Sequence, residues 1–245
     1  MEDRTYLLES LIIRSRDYGE ADKIITVYSR EQGKKTAIAK GVRKAKSSLR
    51  GSVQLFSHSQ LALAKGRAGF DIITQGQVVE PFLDLRNDLD KIVNASYLAE
   101  LTDLAAPEHR PGEDLFLLLL AALYLLAFGN DHDLAIHVFE LRFLALLGLS
   151  PNLESCSHCG RKAEWTSFYL SPVRGALICA ACHREDDGLI SAGTVQVMQK
   201  LQSLEFTRLP NLRLSRQNRE EMRRTLSAYL DYHLDYAAKA RRFLK

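Results

Sequence analysis

Residues Lys23 to Val42 read KIITVYSREQGKKTAIAKGV, two β-branched stretches joined by the polar turn Glu31-Gln32-Gly33. That pattern predicts a strand, a tight turn and a second strand. Three neighbouring stretches share the character: LLESLIIRSRDY (Leu7 to Tyr18), SQLALAKG (Ser59 to Gly66) and FDIITQGQVV (Phe70 to Val79). Gly66-Arg67-Ala68-Gly69 is the expected turn between the last two. Five short strands between Tyr6 and Glu80, with no helix among them, fit a small OB-like barrel.

At Pro81 the period changes. In DLDKIVNASYLAELTDLAA the apolar residues Leu89, Val93, Tyr97, Leu101 and Leu104 recur every three or four positions, the mark of an amphipathic helix. Ala106 to Asp114, APEHRPGED, is a polar loop, and LFLLLLAALYLLAF (Leu115 to Phe128) reads as a helix buried on most sides. HDLAIHVFELRFLALLG, SAGTVQVMQKLQSLEF and the last segment, with Met222, Leu226, Tyr229, His233 and Tyr236 on one face, complete the helical half. The expected fold class is α+β: an N-terminal five-stranded OB-fold barrel over residues 1–82, then an α-helical domain over 83–245. The helical domain carries a cysteine-rich insertion at about 151–190.

The 245 residues, 46% hydrophobic and 26% charged, have the composition of a folded globular protein. Met1 to Tyr28 mixes acids, bases and apolar residues as no signal peptide does, so a cytoplasmic location is expected. The fourteen residues from Leu115 to Phe128 fall short of the roughly 20 that cross a bilayer, and no membrane role is expected.

Four cysteines lie close together, Cys156 and Cys159 in CSHCG and Cys179 and Cys182 in ICAACH, with nineteen residues between the pairs. This spacing matches a four-thiolate zinc site, in which each C-x2-C turn aims two sulfurs at one point and two turns complete a tetrahedron. AEWTSFYLS and ALICA supply the two strands of a zinc ribbon. A thioredoxin-type redox pair needs a βαβ context that is absent here. Four thiolates close the site, so the expected Zn2+ is structural, and the adjacent His158 and His183 read as bystanders.

Positive charge concentrates from Arg30 to Arg50, where Arg30, Lys34, Lys35, Lys40, Arg43, Lys44, Lys46 and Arg50 stand against the single acid Glu31. Such a run is commonly a solvated face. On an OB-like barrel it also suits a strand-binding groove, with Phe56 and Phe70 as candidate stacking rings. A second basic group, Arg208, Arg213, Arg216, Arg219, Arg223 and Arg224, opens the last helix and either extends that surface or covers the helix.

No catalytic constellation emerges. GVRKAKSS lacks the second glycine of a phosphate loop, and neither H-E-x-x-H nor G-x-S-x-G occurs. His132, Asp133 and His137 do not share a helix face, and the paired acids Glu220-Glu221 and Asp186-Asp187 read as surface charges. The chain is not expected to be an enzyme.

RDYGEADKIITVYSREQGK followed by IAKGVRK, then ASYLAELTDL, FELRFLALLGLSPNLESCSHCG and GALICAAC, resemble in order and spacing the RecO family of bacterial DNA repair and recombination proteins. The match covers nearly the whole chain. One departure is Val173-Arg174 before Gly175, where the family often has a second glycine. The resemblance implies an OB-fold, a helical domain with a zinc element, and a mediator of homologous recombination. Such proteins bind single- and double-stranded DNA, anneal complementary strands without ATP, and act with RecR, in some cases with RecF. They thereby load RecA onto DNA coated by single-strand binding protein, whose C-terminal tail they contact. DNA binding would make the protein nucleoid-associated. The competing reading from the residues alone is a protein-interaction adaptor with a zinc ribbon and no direct DNA role.

Overall fold

A computed structural model describes residues 5–66, 69–106, 111–162, 167–184 and 188–234. The five stretches expected as strands are strands: β1 Thr5–Tyr18, β2 Asp22–Ser29, β3 Gly33–Ala39, β4 His58–Ala64 and β5 Asp71–Glu80. They close into a barrel in the order β1-β2-β3-β5-β4, with every seam antiparallel except the parallel β3–β5 pair. Closure leaves no edge strand free to pair with another chain. At the β2–β3 turn Gly33 adopts a φ of 64°, which a side chain would strain. In the expected β4–β5 turn, Arg67 and Ala68 lie outside the described residues.

Alternate residues fill the barrel: Leu8 and Ile12 from β1, Ile25 and Val27 from β2, Ala37 and Ala39 from β3, Leu61 and Leu63 from β4. Val42, Leu49 and Val53 join the same core from the long β3–β4 connection. That connection has no helix or strand, yet three apolar anchors and a series of turn hydrogen bonds fix its course.

Among the described residues six α-helices follow: α1 Leu83–Asn87, α2 Leu89–Ala105, α3 Glu113–Phe128, α4 His132–Leu146, α5 Ala192–Ser203 and α6 Arg216–Leu234. Asp88 caps α2 by accepting from the Asp90 and Lys91 N–H groups. The buried face of α2 carries Asn94, Ala95, Tyr97, Leu98, Leu101 and Thr102. Leu89 and Leu104, the ends of the expected stripe, are exposed. At about 100° per residue Leu89 sits roughly opposite Leu98 on the helix wheel, so it cannot share the buried face. The apolar run of α3 buries Phe116, Leu119, Leu123 and Leu126 but exposes Leu117, Tyr124 and Phe128, so it is covered on fewer sides than its composition suggests.

The described residues up to Asn130 form one compact unit and those from Asp131 onward a second. In the first, the Tyr28 hydroxyl donates to the Gly112 carbonyl over 3.2 Å. A Cβ at Gly112 would lie 2.0 Å from that hydroxyl, so only glycine allows this joint between β2 and the start of α3. Residues 107–110 of the loop before it lie outside the described residues.

In the second unit, α4, α5 and α6 accompany a three-stranded sheet of order β7-β6-β8: β6 Ser167–Ser171, β7 Ala176–Ile178 and β8 Gly188–Ser191. Two strands were expected there; β8 is additional, and residues 163–166 of the first expected strand lie outside the described ones. So does Tyr236 of the last helix. Among the described residues no helix is long and apolar enough to cross a membrane.

Candidate nucleic-acid groove and metal centre

Alternation along β1 breaks at Ile13. Ile12 pairs with the inward Val27, but the pairs that follow are Arg14 with Thr26, Ser15 with the inward Ile25, and Arg16 with Ile24. One extra residue on β1 shifts its phase, so Arg14, which strict alternation from Ile12 would turn inward, faces out. The bulge thereby places Arg14 and Arg16 beside the outward residues Ile24 and Thr26 of β2 and Lys34 and Thr36 of β3. These six residues, with Phe70 just before β5 and Asp103 on α2, line a groove of about 340 Å³. Phe70 is a partly exposed ring in a groove with three cations, the pairing of base-stacking surface and phosphate contact that single-strand sites use. The sequence reading missed Arg14 and Arg16. Their spacing of two was visible, but the bulge that aims them was not.

The basic residues expected at the site divide into three groups. Lys40, Arg43, Lys44, Lys46 and Arg50 are exposed on the β3–β4 connection, whose Val42 and Leu49 are buried between them. Arg43 is partly engaged: its backbone N–H donates to Ala21 and its guanidinium lies 3.4 Å from Asp17. Lys34 lines the groove; its ammonium donates to the Asp103 carbonyl over 2.7 Å and pairs with the Asp103 carboxylate at 3.3 Å. Lys35 departs from the expectation of a phosphate contact. It is 4% exposed, because β3 alternation turns it inward with Ala37 and Ala39. Its ammonium is bound to the Tyr6 hydroxyl at 2.9 Å, Gln32 at 3.1 Å and Asp71 at 3.1 Å. Burial, then the hydrogen bond to Asp71, raises the Tyr6 phenol above its ordinary pKa. Phe56 is also internal, at 1% exposure, and is no stacking ring.

Most of the second basic group is committed within its own unit. Arg219 holds Asp131 through both terminal guanidinium nitrogens at 2.6 Å and reaches Asp133 at 2.9 Å. Arg223 pairs with Asp133 at 3.3 Å, Arg216 with Glu220 at 2.7 Å, and Arg224 donates to the Leu189 carbonyl. Arg208 and Arg213 are exposed.

The four cysteines meet. Their Sγ atoms all lie within 4.8 Å of one another, and Cys159 and Cys179 are 3.8 Å apart. Sulfurs at the corners of a tetrahedron with bonds of 2.3 Å are about 3.8 Å apart, so the set fits a metal ion of zinc's size. Gly160, at a φ of 71°, lets its N–H return to the Cys156 carbonyl and close the first turn. Burial would raise the Cys156 thiol, but N–H groups of Cys179, Cys159 and His158 aimed at its sulfur outweigh burial and lower it to about 6. Donors pointed at one sulfur favour the thiolate that a metal needs. The clustered sulfurs of Cys179 and Cys159, together with burial, push Cys182 up to about 12, the mutual resistance to ionisation expected of thiols crowded around a site for a cation. His158 contacts Arg174 at 3.1 Å, and His183 bonds the Ala180 carbonyl and stacks on Tyr169. Neither imidazole joins the sulfur cluster. At the β6–β7 turn Gly175 alone takes a positive φ, of 62°, so Val173 and Arg174 are accommodated without strain.

His137 is buried against Glu140 at 2.8 Å, while Asp133 is occupied by the two arginines. Glu221 is no free surface charge. It accepts from the Ser191 N–H and hydroxyl and from Thr194, fastening α6 to the start of α5. Asp186 and Asp187 lie outside the described residues.

Residues 1–82 match the family model described as Recombination protein O N terminal, and residues 86–242 match Recombination protein O C terminal. The chain is 40% identical over 243 residues to the DNA repair protein RecO of Pelotomaculum thermopropionicum, covering 98% of this chain and 94% of that one. It is 36% identical, with the same coverage, to the DNA repair protein RecO of Desulforamulus reducens. To that of Symbiobacterium thermophilum it is 34% identical over 244 residues, 98% of this chain and 96% of the relative.

Proposed function

The chain belongs to the RecO family of DNA repair proteins, and from that premise we propose that it is a recombination mediator whose barrel holds a DNA strand in the Arg14–Arg16–Lys34 groove. The observation that carries this reading is the convergence of three cations and one half-exposed ring on a single face of the barrel. Guanidinium and ammonium groups there take phosphates and release condensed counterions, while Phe70 offers a face for a base. The exposed loop cations Lys40, Arg43, Lys44, Lys46 and Arg50 extend the phosphate-binding surface. Two strands whose charge is neutralised on one protein repel each other less, so annealing of complementary strands needs no ATP. No covalent chemistry is involved, and none of the described groups is assigned a catalytic role.

Cys156, Cys159, Cys179 and Cys182 would hold a zinc ion. Bound there, the ion would cross-link the two C-x2-C turns beside a small sheet that has little core of its own. Family membership supports RecR, and in some settings RecF, as partners in loading RecA, and the C-terminal tail of single-strand binding protein as a docking partner. It supports double-stranded as well as single-stranded DNA as ligand, and hence association with the nucleoid.

Binding of a labelled oligonucleotide across a salt series, with strand annealing measured without ATP and with and without RecR, tests this reading. Affinity that falls steeply with salt and annealing without nucleotide support it. Absent or salt-independent binding would replace it with the adaptor reading.

A further inference from the structure

We propose that Asp103 is a built-in counter-anion of the groove, which occupies Arg14 and Lys34 when no strand is bound and must yield them to phosphate. The proposal rests on the groove being the DNA site. Asp103 lies in the last turn of α2, where its carboxylate faces the negative end of the helix dipole. Helix electrostatics therefore disfavour an acid there, and the partners that offset this are the groove cations. The carboxylate is 3.3 Å from the Lys34 ammonium and 3.8 Å from the Arg14 guanidinium, and the Asp103 carbonyl accepts from Lys34 as well. The end of α2 thus presents a carboxylate and a backbone carbonyl to two of the three cations lining the groove.

The consequence is a strand site with less net charge than its arginine and lysine content suggests. Three cations against one carboxylate leave a net of two positive charges along the groove. A phosphate arriving at Lys34 displaces an existing partner instead of meeting a free ammonium, so part of its binding energy is spent on the exchange. When the strand leaves, Asp103 closes the pair again. Such a contact weakens holding and hastens release, which suits a protein that must hand its strand on. Arg16, with no acid within ion-pair distance among the described residues, stays available for first contact.

The test removes the carboxylate and keeps the groove. Asp103→Asn preserves side-chain shape and the backbone carbonyl to Lys34; Asp103→Ala, made in parallel, removes the side chain altogether. Binding of a single-stranded oligonucleotide is measured by anisotropy from low to moderate salt, with dissociation followed by stopped flow, for both variants, for the unaltered protein and for Arg14→Ala/Arg16→Ala. Both Asp103 variants are expected to bind roughly two- to fivefold tighter at about 0.1 M salt, the range of one partly exposed ion pair. Their plots of log affinity against log salt should be steeper by about 0.7, one further phosphate contact on a single strand. Dissociation should slow by a similar factor. Unchanged or weaker binding by folded Asp103 variants, while the arginine variant binds less well, overturns the counter-anion and leaves the groove reading intact. Unchanged binding by the arginine variant overturns the groove reading itself and this proposal with it.

Discussion

Arg14 stands opposite Thr26 across the β1–β2 ladder, whereas Ile12, two residues earlier, stands opposite Val27. The mismatch is the extra residue Ile13, and it converts an inward position into an outward cation. Replacing Arg14 and Arg16 together by alanine should therefore cost DNA affinity and little stability, because both side chains are exposed. Loss of two phosphate contacts on a single strand reduces the salt slope by about 1.4. A salt titration checks this, with circular dichroism to establish that the barrel persists.

Lys35 sits on the next strand but inside the barrel, so its replacement has the opposite profile. Lys35→Met removes the charge and keeps most of the volume, leaving Asp71 with the solvated Lys65 at 3.6 Å and the Tyr6 hydroxyl. Breaking a buried pair from one side costs about 3 kcal/mol. Urea unfolding should show a loss of that size, with oligonucleotide affinity within about twofold of the original, where the surface-contact expectation would have it fall. Pairing the change with Asp71→Asn should recover part of the loss.

The same cluster makes the protein acid-sensitive. Burial alone would raise the Asp71 carboxyl, but the Tyr6 hydroxyl, Lys35 and Lys65 favour its charged form and hold it below the usual range. A carboxyl with a depressed folded pKa contributes stability that is present above its unfolded value, about 3.9, and is lost as pH falls through the folded one. Thermal melts from neutral pH downward should therefore show the unaltered protein losing stability below about pH 4 more steeply than Asp71→Asn. Above about pH 5 the gap between the two should be constant.

The cysteine spacing needed no tertiary information, since two C-x2-C turns carry their own geometry, and the five strands were marked by their β-branched stretches. The charge run from Arg30 to Arg50 was harder to resolve. Its members go to four places: Arg30 to the acids Glu9 and Glu113, Lys35 into the barrel, Lys34 to the groove, and Lys40 to Arg50 onto the connecting loop. The signal for Lys35 was present in KKTAIA, since it shares parity with Ala37 and Ala39, which fill the core. No comparable local signal marked the bulge at Ile13, which depends on pairing with β2, or Asp103, whose partners are more than sixty residues away. Glu221 read as a surface acid for the same reason: Ser191 and Thr194 reach it only after α5 and α6 have packed.

Metal content gives a prediction independent of DNA. Freshly purified protein should carry about one zinc per chain, and Cys179→Ser should lose it, because Cys179 supplies one of the four clustered sulfurs, and a buried one. Chelation should lower the melting temperature. If the groove does the binding, oligonucleotide affinity should change by less than about twofold in the same sample. A metal-free protein with an unchanged melt would reassign the sulfurs to a reduced thiol cluster.

Arg219 looks like a DNA contact by its place in a basic run, and its partners argue otherwise. It grips Asp131 in a two-nitrogen fork and also reaches Asp133, joining α6 to the start of α4. Asp131 itself caps α4 by accepting from the Leu134 N–H. Burial alone would raise the Asp131 carboxyl, but the Arg219 fork and the cap N–H hold it low. Removing the guanidinium leaves two carboxylates near one helix end with Arg223 as the remaining cation partner among those described. Charge-assisted forks of this kind contribute about 1.5 to 3 kcal/mol, less some screening for partial exposure. Arg219→Ala should therefore destabilise the protein by about 1 to 2 kcal/mol in urea, while Arg219→Lys, which keeps the charge but not the fork, should recover less than half of the loss. DNA affinity should be unchanged in both. Arg208→Ala/Arg213→Ala, at exposed positions of the same basic group, should leave stability unchanged, and any contribution of this group to DNA binding would show there and not at Arg219.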